Sequence, residues 1–393
     1  MATTDFLFIQ PLLGADDAWS GYRATFASAA GDSALLGRLT EAAQIDDFDH
    51  RHPWLLPAAA AAGQSGRLGE RAVFIFPPHP PTADADTLTA LEATLRQQHA
   101  KVGLIASPDS PLPATGSWPF VVLTAGHARA LPPFTLFGLA SRTSIVATDV
   151  LSHADRQWLL ANACTLCSAE FLLARAPASG KADTTRIKLL ALLALIAEDA
   201  DTAALDAVFR QESKLSYSLL RLVNSAAIAP TRPITSFSQA INLLGRRQLQ
   251  RWLQLLVYAD PNHGHQPNPL LQKAAARGHL MESLARRLNP RPAIDNLEDA
   301  AFMIGSFSLL HVLLNMSMNE IVQQLPLTHE VSSALIDHAG LLGELLHAVT
   351  SAEAGDLQGA TMALKKLSIG ADAHLDAQLA ALGWAAKIHV AGD

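Results

Sequence analysis

Ala176-Pro-Ala-Ser-Gly-Lys-Ala-Asp183 is small, polar and broken by Pro and Gly, which is linker chemistry. The chain on either side of it follows a different period. Ahead of it, short apolar runs recur at Phe6 to Ile9, Ala72 to Phe76, Val102 to Ala106, Phe120 to Thr124, Ser144 to Ala147 and Phe171 to Ala174, with helix-like stretches at Asp86 to His99 and His153 to Ala163. Buried strand alternating with helix predicts parallel βα units and an α/β domain over residues 1–178. That length is short of the ~250 residues of a full eight-fold barrel, so some helices must be trimmed or missing. Beyond the linker the period becomes helical. Ile187, Leu190, Leu193, Ala194 and Ala197 form one apolar stripe and Leu215, Leu219, Leu222 and Val223 another, predicting an all-α domain over 179–393. Ser236 with Gln239 and Asp295 with Glu298 stand in capping-box register, and Gly245 predicts a helix end or bend.

The bulk properties narrow the function classes. The chain has 393 residues, 49% of them hydrophobic and 17% charged, as a globular protein of two or three domains would. The longest strongly apolar run, Leu189 to Ala197, is well short of the ~18 residues that cross a bilayer, and the acidic start lacks a basic signal front. No membrane segment is expected, and two cysteines form no disulfide framework, which fits a cytoplasmic protein. Lys and Arg number 11 against 16 Asp and Glu over residues 1–178, and 18 against 20 over the rest, so neither half carries the positive excess that nucleic-acid binding uses.

The helical half holds a connected string: Gln211-Glu-Ser-Lys-Leu-Ser-Tyr-Ser-Leu-Leu-Arg-Leu-Val-Asn-Ser225, then Ile234-Thr-Ser-Phe-Ser-Gln-Ala-Ile-Asn-Leu-Leu-Gly245, then Gln248-Leu-Gln-Arg-Trp-Leu253. It resembles the HDOD domain, an all-helical relative of HD-type phosphohydrolases found in bacterial signalling proteins. Ala300-Ala-Phe-Met-Ile-Gly305 and Gln324-Leu-Pro-Leu327 resemble the variant in which this domain follows an EAL-like domain. The resemblance implies a His-Asp metal pair after Gly305, where this chain reads Ser306-Phe-Ser-Leu-Leu-His311 and has neither member in place. His279 and His311 read as hydrogen-bonded core or surface residues, and Asn224 as a buried amide closing its helix end.

The opening Phe8-Ile-Gln-Pro-Leu-Leu-Gly-Ala-Asp-Asp-Ala-Trp-Ser-Gly-Tyr-Arg-Ala-Thr-Phe26 resembles the start of EAL domains, and Phe171-Leu-Leu-Ala-Arg-Ala-Pro177 their closing strand. The resemblance implies a degenerate, shortened (β/α) barrel. Active EAL domains hydrolyse cyclic di-GMP with two metal ions held by carboxylates. At the corresponding places this chain has Arg23 for the motif Glu, Ser107-Pro108 for paired Asp, Val122 and Thr124 for a Lys-x-Asp pair, and Thr148 near the later Glu. A guanidinium at a metal-ligand position repels divalent ions. Arg23 is therefore expected to pair with Asp16 or Asp17, or else to meet a phosphate.

Three other groupings carry chemistry-bearing residues. Cys164-Thr-Leu-Cys167 has redox or half-zinc spacing but no second pair, and reads as buried packing. Asp46-Asp-Phe-Asp-His-Arg-His52 and His263-Gly-His265 read as solvated loops. Arg246, Arg247 and Arg251 with Trp252 form the best basic patch and the candidate interaction surface. The expectation is a non-catalytic signalling protein with no catalytic, metal or cofactor residues, acting on other signalling proteins in a cyclic di-GMP-related network. Cyclic di-GMP binding without hydrolysis, weak phosphodiesterase activity and homo-oligomers stand as alternatives; nucleic-acid binding is disfavoured.

Overall fold

The computed structural model describes residues 5–29, 31–60, 65–78, 85–174, 193–195, 213–225, 228, 230–258 and 268–388, without the side chains of 213–216, 237, 238, 241 and 246. The linker at Ala176, most of the stripe from Ile187 and the His263 to His265 loop lie outside the described residues. Two compact units emerge: Met1–Ala174 with Ala352–Thr361 and Gly370–Leu379, and Arg175–Ser351 with Met362–Ile369 and Ala380–Asp393.

The first unit is a closed eight-stranded barrel, β1(Leu7–Leu13), β2(Trp19–Phe26), β3(Trp54–Pro57), β4(Ala72–Phe76), β5(Lys101–Ile105), β6(Phe120–Thr124), β7(Ser144–Thr148) and β8(Leu166–Cys167), in sequence order. β1 is antiparallel to both its neighbours and the remaining pairs are parallel. Leu12, Leu55, Val73, Ile75, Phe120, Val122 and Val146 fill the lumen. The helices are α1(Ser33–Glu41), α2(Ala85–Gln97), α3(Ala125–Ala130), α4(Thr135–Ala140) and α5(His153–Ala161). Among the described residues the β3–β4 connection carries only 3₁₀ turns, at Ala58–Ala60 and Gly66–Arg71, and the β5–β6 connection is bare loop, so the barrel fits in fewer residues than usual. The expected strand at Phe171 to Ala174 is instead a 3₁₀ turn over Glu170–Leu173, and the barrel closes earlier, through Leu166–Cys167.

That closing strand is too short to pair the whole of β1, which meets β8 only at Leu13 and Cys167. The exposed seam is sealed by a side chain. Gln378 Oε1 accepts the Ile9 N–H at 3.0 Å and its Nε2 donates to the Leu7 carbonyl at 2.9 Å, so one primary amide takes the two ladder positions flanking Phe8 that a parallel strand would occupy. His374 lies between Phe6 and Phe8, edge-on to both, with Nδ1 3.0 Å from Gln378 Nε2. Sequence periodicity assigns residues 370–379 to the helical half; their contacts place them in the barrel unit.

The remaining helices are α6(Ser213–Val223), α7(Phe237–Leu256), α8(Pro269–Ala285), α9(Leu297–Phe307), α10(Leu310–Leu314), α11(Met318–Val322), α12(His329–Asp337), α13(Gly340–Glu353), α14(Leu357–Lys366) and α15(Ala371–Ala386). Gly245, at φ 73 and ψ 162, leaves helical geometry and kinks the α7 span into two helical segments. Ser236 caps α7 as its spacing predicts, accepting the Gln239 N–H. Asp295 does not cap α9: Asn296 stands at the cap position without a side-chain bond, and Glu298 pairs with Arg291 at 3.0 Å. α8 and α9 cross in backbone contact, since a Cβ on Gly305 would lie 2.8 Å from the Arg277 carbonyl oxygen. Leu297–Leu314 is long and apolar enough to cross a membrane, but 67% of it is buried inside the protein, where its apolarity builds core.

Candidate functional site

Arg23 lies in the barrel lumen. It pairs with Gln10 across β1 and β2 and with Leu55 across β2 and β3; cross-strand partners share a face, and Leu55 belongs to the lumen core. Asp17 does not pair with it. That carboxylate is held by Arg156 at 2.8 Å, while Asp16 Oδ1 accepts the Ala18 N–H, both locking the β1–β2 hairpin. The charges Arg23 faces are Asp149, just past β7, and Glu170, just past β8, neither within ion-pairing distance. Burial pulls the Arg23 guanidinium below the ordinary arginine value, and those two carboxylates push back.

The other places at which the resemblance implies ligands carry no charge. Val122 is lumen core, Thr124 accepts the His127 N–H as cap of α3, and Thr148 Oγ1 sits 3.5 Å from the Leu123 carbonyl. Asp149 escaped sequence reasoning although it follows the expected strand Ser144 to Ala147 by two residues, the strand-end position where barrel sites are built. Glu170 escaped because its segment reads as the approach to a strand.

In the helical unit the place expected for a His-Asp pair is occupied by Ser308 and His311. Arg277, 3% exposed, donates from Nη1 to Ser308 Oγ at 2.7 Å, and His311 Nδ1 lies 2.8 Å from the Ser308 carbonyl oxygen. No sequence signal marks Arg277, which is one basic residue inside an apolar helix. Asn224 is fully used by the backbone: Nδ2 donates to the Leu220 and Ile234 carbonyls at 2.7 and 2.8 Å, and Oδ1 accepts the Ile234 N–H at 2.7 Å.

Two members of the basic patch, Arg251 and Trp252, are turned inward. Trp252 is 3% exposed and packs 5.5 Å from Trp384, ring centre to ring centre. Arg251 binds Glu282 at 2.8 Å and Asp299 at 3.0 Å, Arg247 binds Asp299 at 2.7 Å, and Arg286 also closes on Glu282. The cationic run thus meets carboxylates from α8 and α9 and stitches three helices; only Arg247 of the described members remains well exposed, and the Arg246 side chain lies outside the description. Lone-helix reading could not supply Glu282 and Asp299, which are 31 and 48 residues from Arg251. His279 is half-buried against Trp384, and desolvation with Arg251 and Arg286 nearby brings its imidazole down to about 4.

Cys164 and Cys167 are free and buried. Burial raises their thiols to about 12 and about 11, and Arg156 Nη1 donates to Cys167 Sγ at 3.2 Å, so neither is a ready thiolate. In the Asp46 to His52 segment Asp46 pairs with Arg67 and Asp49 with Arg51, at 2.7 and 2.6 Å. Among the described residues no three His, Cys, Asp or Glu side chains are grouped so as to hold a metal.

Known proteins share parts of this chain. An "Uncharacterized protein YuxH" of Bacillus subtilis is 34% identical over 149 residues, 37% of this chain and 35% of its own length. A "Cyclic di-GMP phosphodiesterase CdgJ" of Vibrio cholerae is 32% identical over 161 residues, 41% of this chain and 36% of its own. The chain therefore spans little more than a third of the length of these relatives. A solved structure described as "PaMucR Phosphodiesterase, c-di-GMP complex" is 13% identical over 43% of this chain and 90% of its own, with a TM-score of 0.31. Residues 184–292 match the family model described as the HDOD domain, and an HDOD domain is what that part of the chain contains.

Proposed function

We propose that the chain is a non-catalytic bacterial signal-transduction protein that works in the cytoplasm through contacts with other signalling proteins in a cyclic di-GMP-related network. Arg23 carries the reading. A fixed guanidinium stands in the lumen where a metal-binding carboxylate is expected, and the two nearby carboxylates, Asp149 and Glu170, face that cation. Two metal ions flanking a phosphodiester need several anionic ligands in one place, and a neighbouring guanidinium opposes them. The HDOD domain and a relative named as a cyclic di-GMP phosphodiesterase support the network assignment.

Incubation of the whole chain with cyclic di-GMP and Mg²⁺ or Mn²⁺ tests the loss of catalysis. No linear dinucleotide is expected. Product that disappears in Asp149→Asn or Glu170→Gln would overturn the reading.

A second reading, nucleotide binding without hydrolysis, is favoured by one observation: Arg23 has no carboxylate within ion-pairing distance and so can take a phosphate oxygen. Metal-free calorimetry with cyclic di-GMP separates the two. Saturable heat lost in Arg23→Gln supports the receptor, and its absence at millimolar nucleotide leaves protein contact as the output.

A further inference from the structure

The opposite mouth of the barrel holds a cavity of about 390 Å³. Its position follows from its lining. Pro53, Arg71, Lys101, Phe120, Ser144 and Leu166 each stand at, or one residue before, the first residue of β3, β4, β5, β6, β7 and β8. The cavity is thus the N-terminal mouth, away from the strand ends Asp149 and Glu170 follow. Its floor is apolar, made by Phe120 and Leu166 of the lumen core.

Its wall carries a buried charge with no carboxylate paired to it among the described residues. Arg71 is 6% exposed, and its guanidinium donates only to backbone carbonyls: Nε to Leu68, Nη1 to Ile45 and Phe48, and Nη2 to Arg67, all at 3.3 to 3.4 Å. A guanidinium has five N–H groups, so one on Nη2 is left without a protein acceptor. The nearest acids are committed elsewhere, Asp46 to Arg67 and Asp49 to Arg51. Lys101 stands exposed on the rim with no ion pair among the described residues, and Glu70 is the one carboxylate among the lining residues. The four long carbonyl contacts explain how Arg71 ties the 3₁₀ turns at Ala43–Asp47 and Gly66–Arg71 together. They do not neutralise a desolvated cation, which a bound anion would.

We propose that this N-terminal mouth binds a phosphomonoester bearing a small ring, with the phosphate between Arg71 and Lys101 and the ring on Phe120 and Leu166. A phosphomonoester is close to a dianion at neutral pH and presents three acceptor oxygens, enough for the spare Nη2 hydrogen and the Lys101 ammonium together. The volume exceeds what a bare phosphate fills, and Phe120 and Leu166 give the remainder an apolar lining.

Phenyl phosphate titrated into the whole chain by calorimetry tests the site. Saturable binding at submillimolar to millimolar concentration is expected, weakened by salt. Lys101→Gln should weaken it about fivefold to tenfold, one charge-assisted contact, and Glu70→Gln should tighten it about twofold to fivefold by removing a like charge. Both residues are exposed, so neither variant depends on rebuilding the fold. Absence of saturable heat at 10 mM, taken as roughly the weakest affinity worth calling a site, would overturn the proposal. So would binding that neither substitution shifts. Inorganic phosphate binding as tightly as phenyl phosphate would overturn the placing of a ring on the floor.

Discussion

Arg251 and Arg23 are both withdrawn from solvent, and their surroundings differ in kind. Arg251 in the helical unit touches Glu282 and Asp299 at 2.8 and 3.0 Å and lies over the Phe302 ring, so its charge is matched at contact distance. Arg23 in the barrel has its carboxylates only beyond ion-pairing range. A buried ion pair and its desolvation penalty roughly cancel, whereas an unmatched buried charge is a net cost that a fold does not need. The contrast separates an arginine matched at contact distance from one that is not.

Removing Glu282 should have the largest effect. Its side chain is 2% exposed and clasped by Arg251 and Arg286, so Glu282→Leu takes the buried carboxylate from both, leaving Arg251 with Asp299 alone and Arg286 to solvent. A loss of about 3–5 kcal/mol is expected, read as a lower denaturation midpoint for the helical unit. The double variant Glu282→Leu, Arg251→Met should recover part of it; an undiminished loss would show that volume rather than charge holds α7, α8 and α9 together.

Gln378 is the next step down, and it lies in the barrel unit. Gln378→Ala leaves the Ile9 N–H and Leu7 carbonyl unpaired in a buried seam, a cost of about 2–4 kcal/mol, with faster hydrogen exchange at the Ile9 amide as the local mark. His374 adds a pH dependence. Burial lowers its imidazole from 6.5 to about 3, and Nδ1 accepts from Gln378 Nε2 only while unprotonated. The unfolded chain takes the proton first as pH falls, so this contribution is complete above about pH 6.5 and is lost progressively down to about pH 3. His374→Leu should flatten that decline for Ile9 exchange; an unchanged slope would assign the decline to other groups. Gly305→Ala comes third at about 1–3 kcal/mol, because a Cβ there meets the α8 backbone, which cannot step aside as a flexible side chain would.

What the sequence let one read divides along the same line as these residues. Strands β4 to β7 carry runs of apolar residues that any burial argument finds, and Asn224 sits at a helix end where its amide has obvious work. The Gly245 bend and the Ser236 cap follow from local chemistry. Gln378, Glu282 and Arg71 were invisible, since their partners lie 371, 31 and 26 residues away and each looks like an ordinary polar residue on a helix or turn. The pairing of Arg247 and Arg251 is illegible for the same cause: a run of arginines announces its charge, while the carboxylates that meet it arrive from other helices. Phe171 to Ala174 has strand composition, yet the barrel closes through Leu166–Cys167 ahead of it and the stretch turns as a 3₁₀ segment instead.

Arg23 gives the smallest change and the sharpest separation. Arg23→Met keeps the long stem inside the lumen and removes a charge that makes no contact-distance pair, so stability should hold or rise, by less than about 1 kcal/mol. Arg251→Met, by contrast, strips a cation from Glu282 and Asp299 and should cost several times as much. Equal losses in the two variants would mean that Asp149 and Glu170 hold Arg23 as firmly as a direct pair does, and the lumen cation would then be a structural element. A near-neutral Arg23→Met would instead leave the guanidinium without a role in folding, and so with a reason to be sought in what enters the barrel.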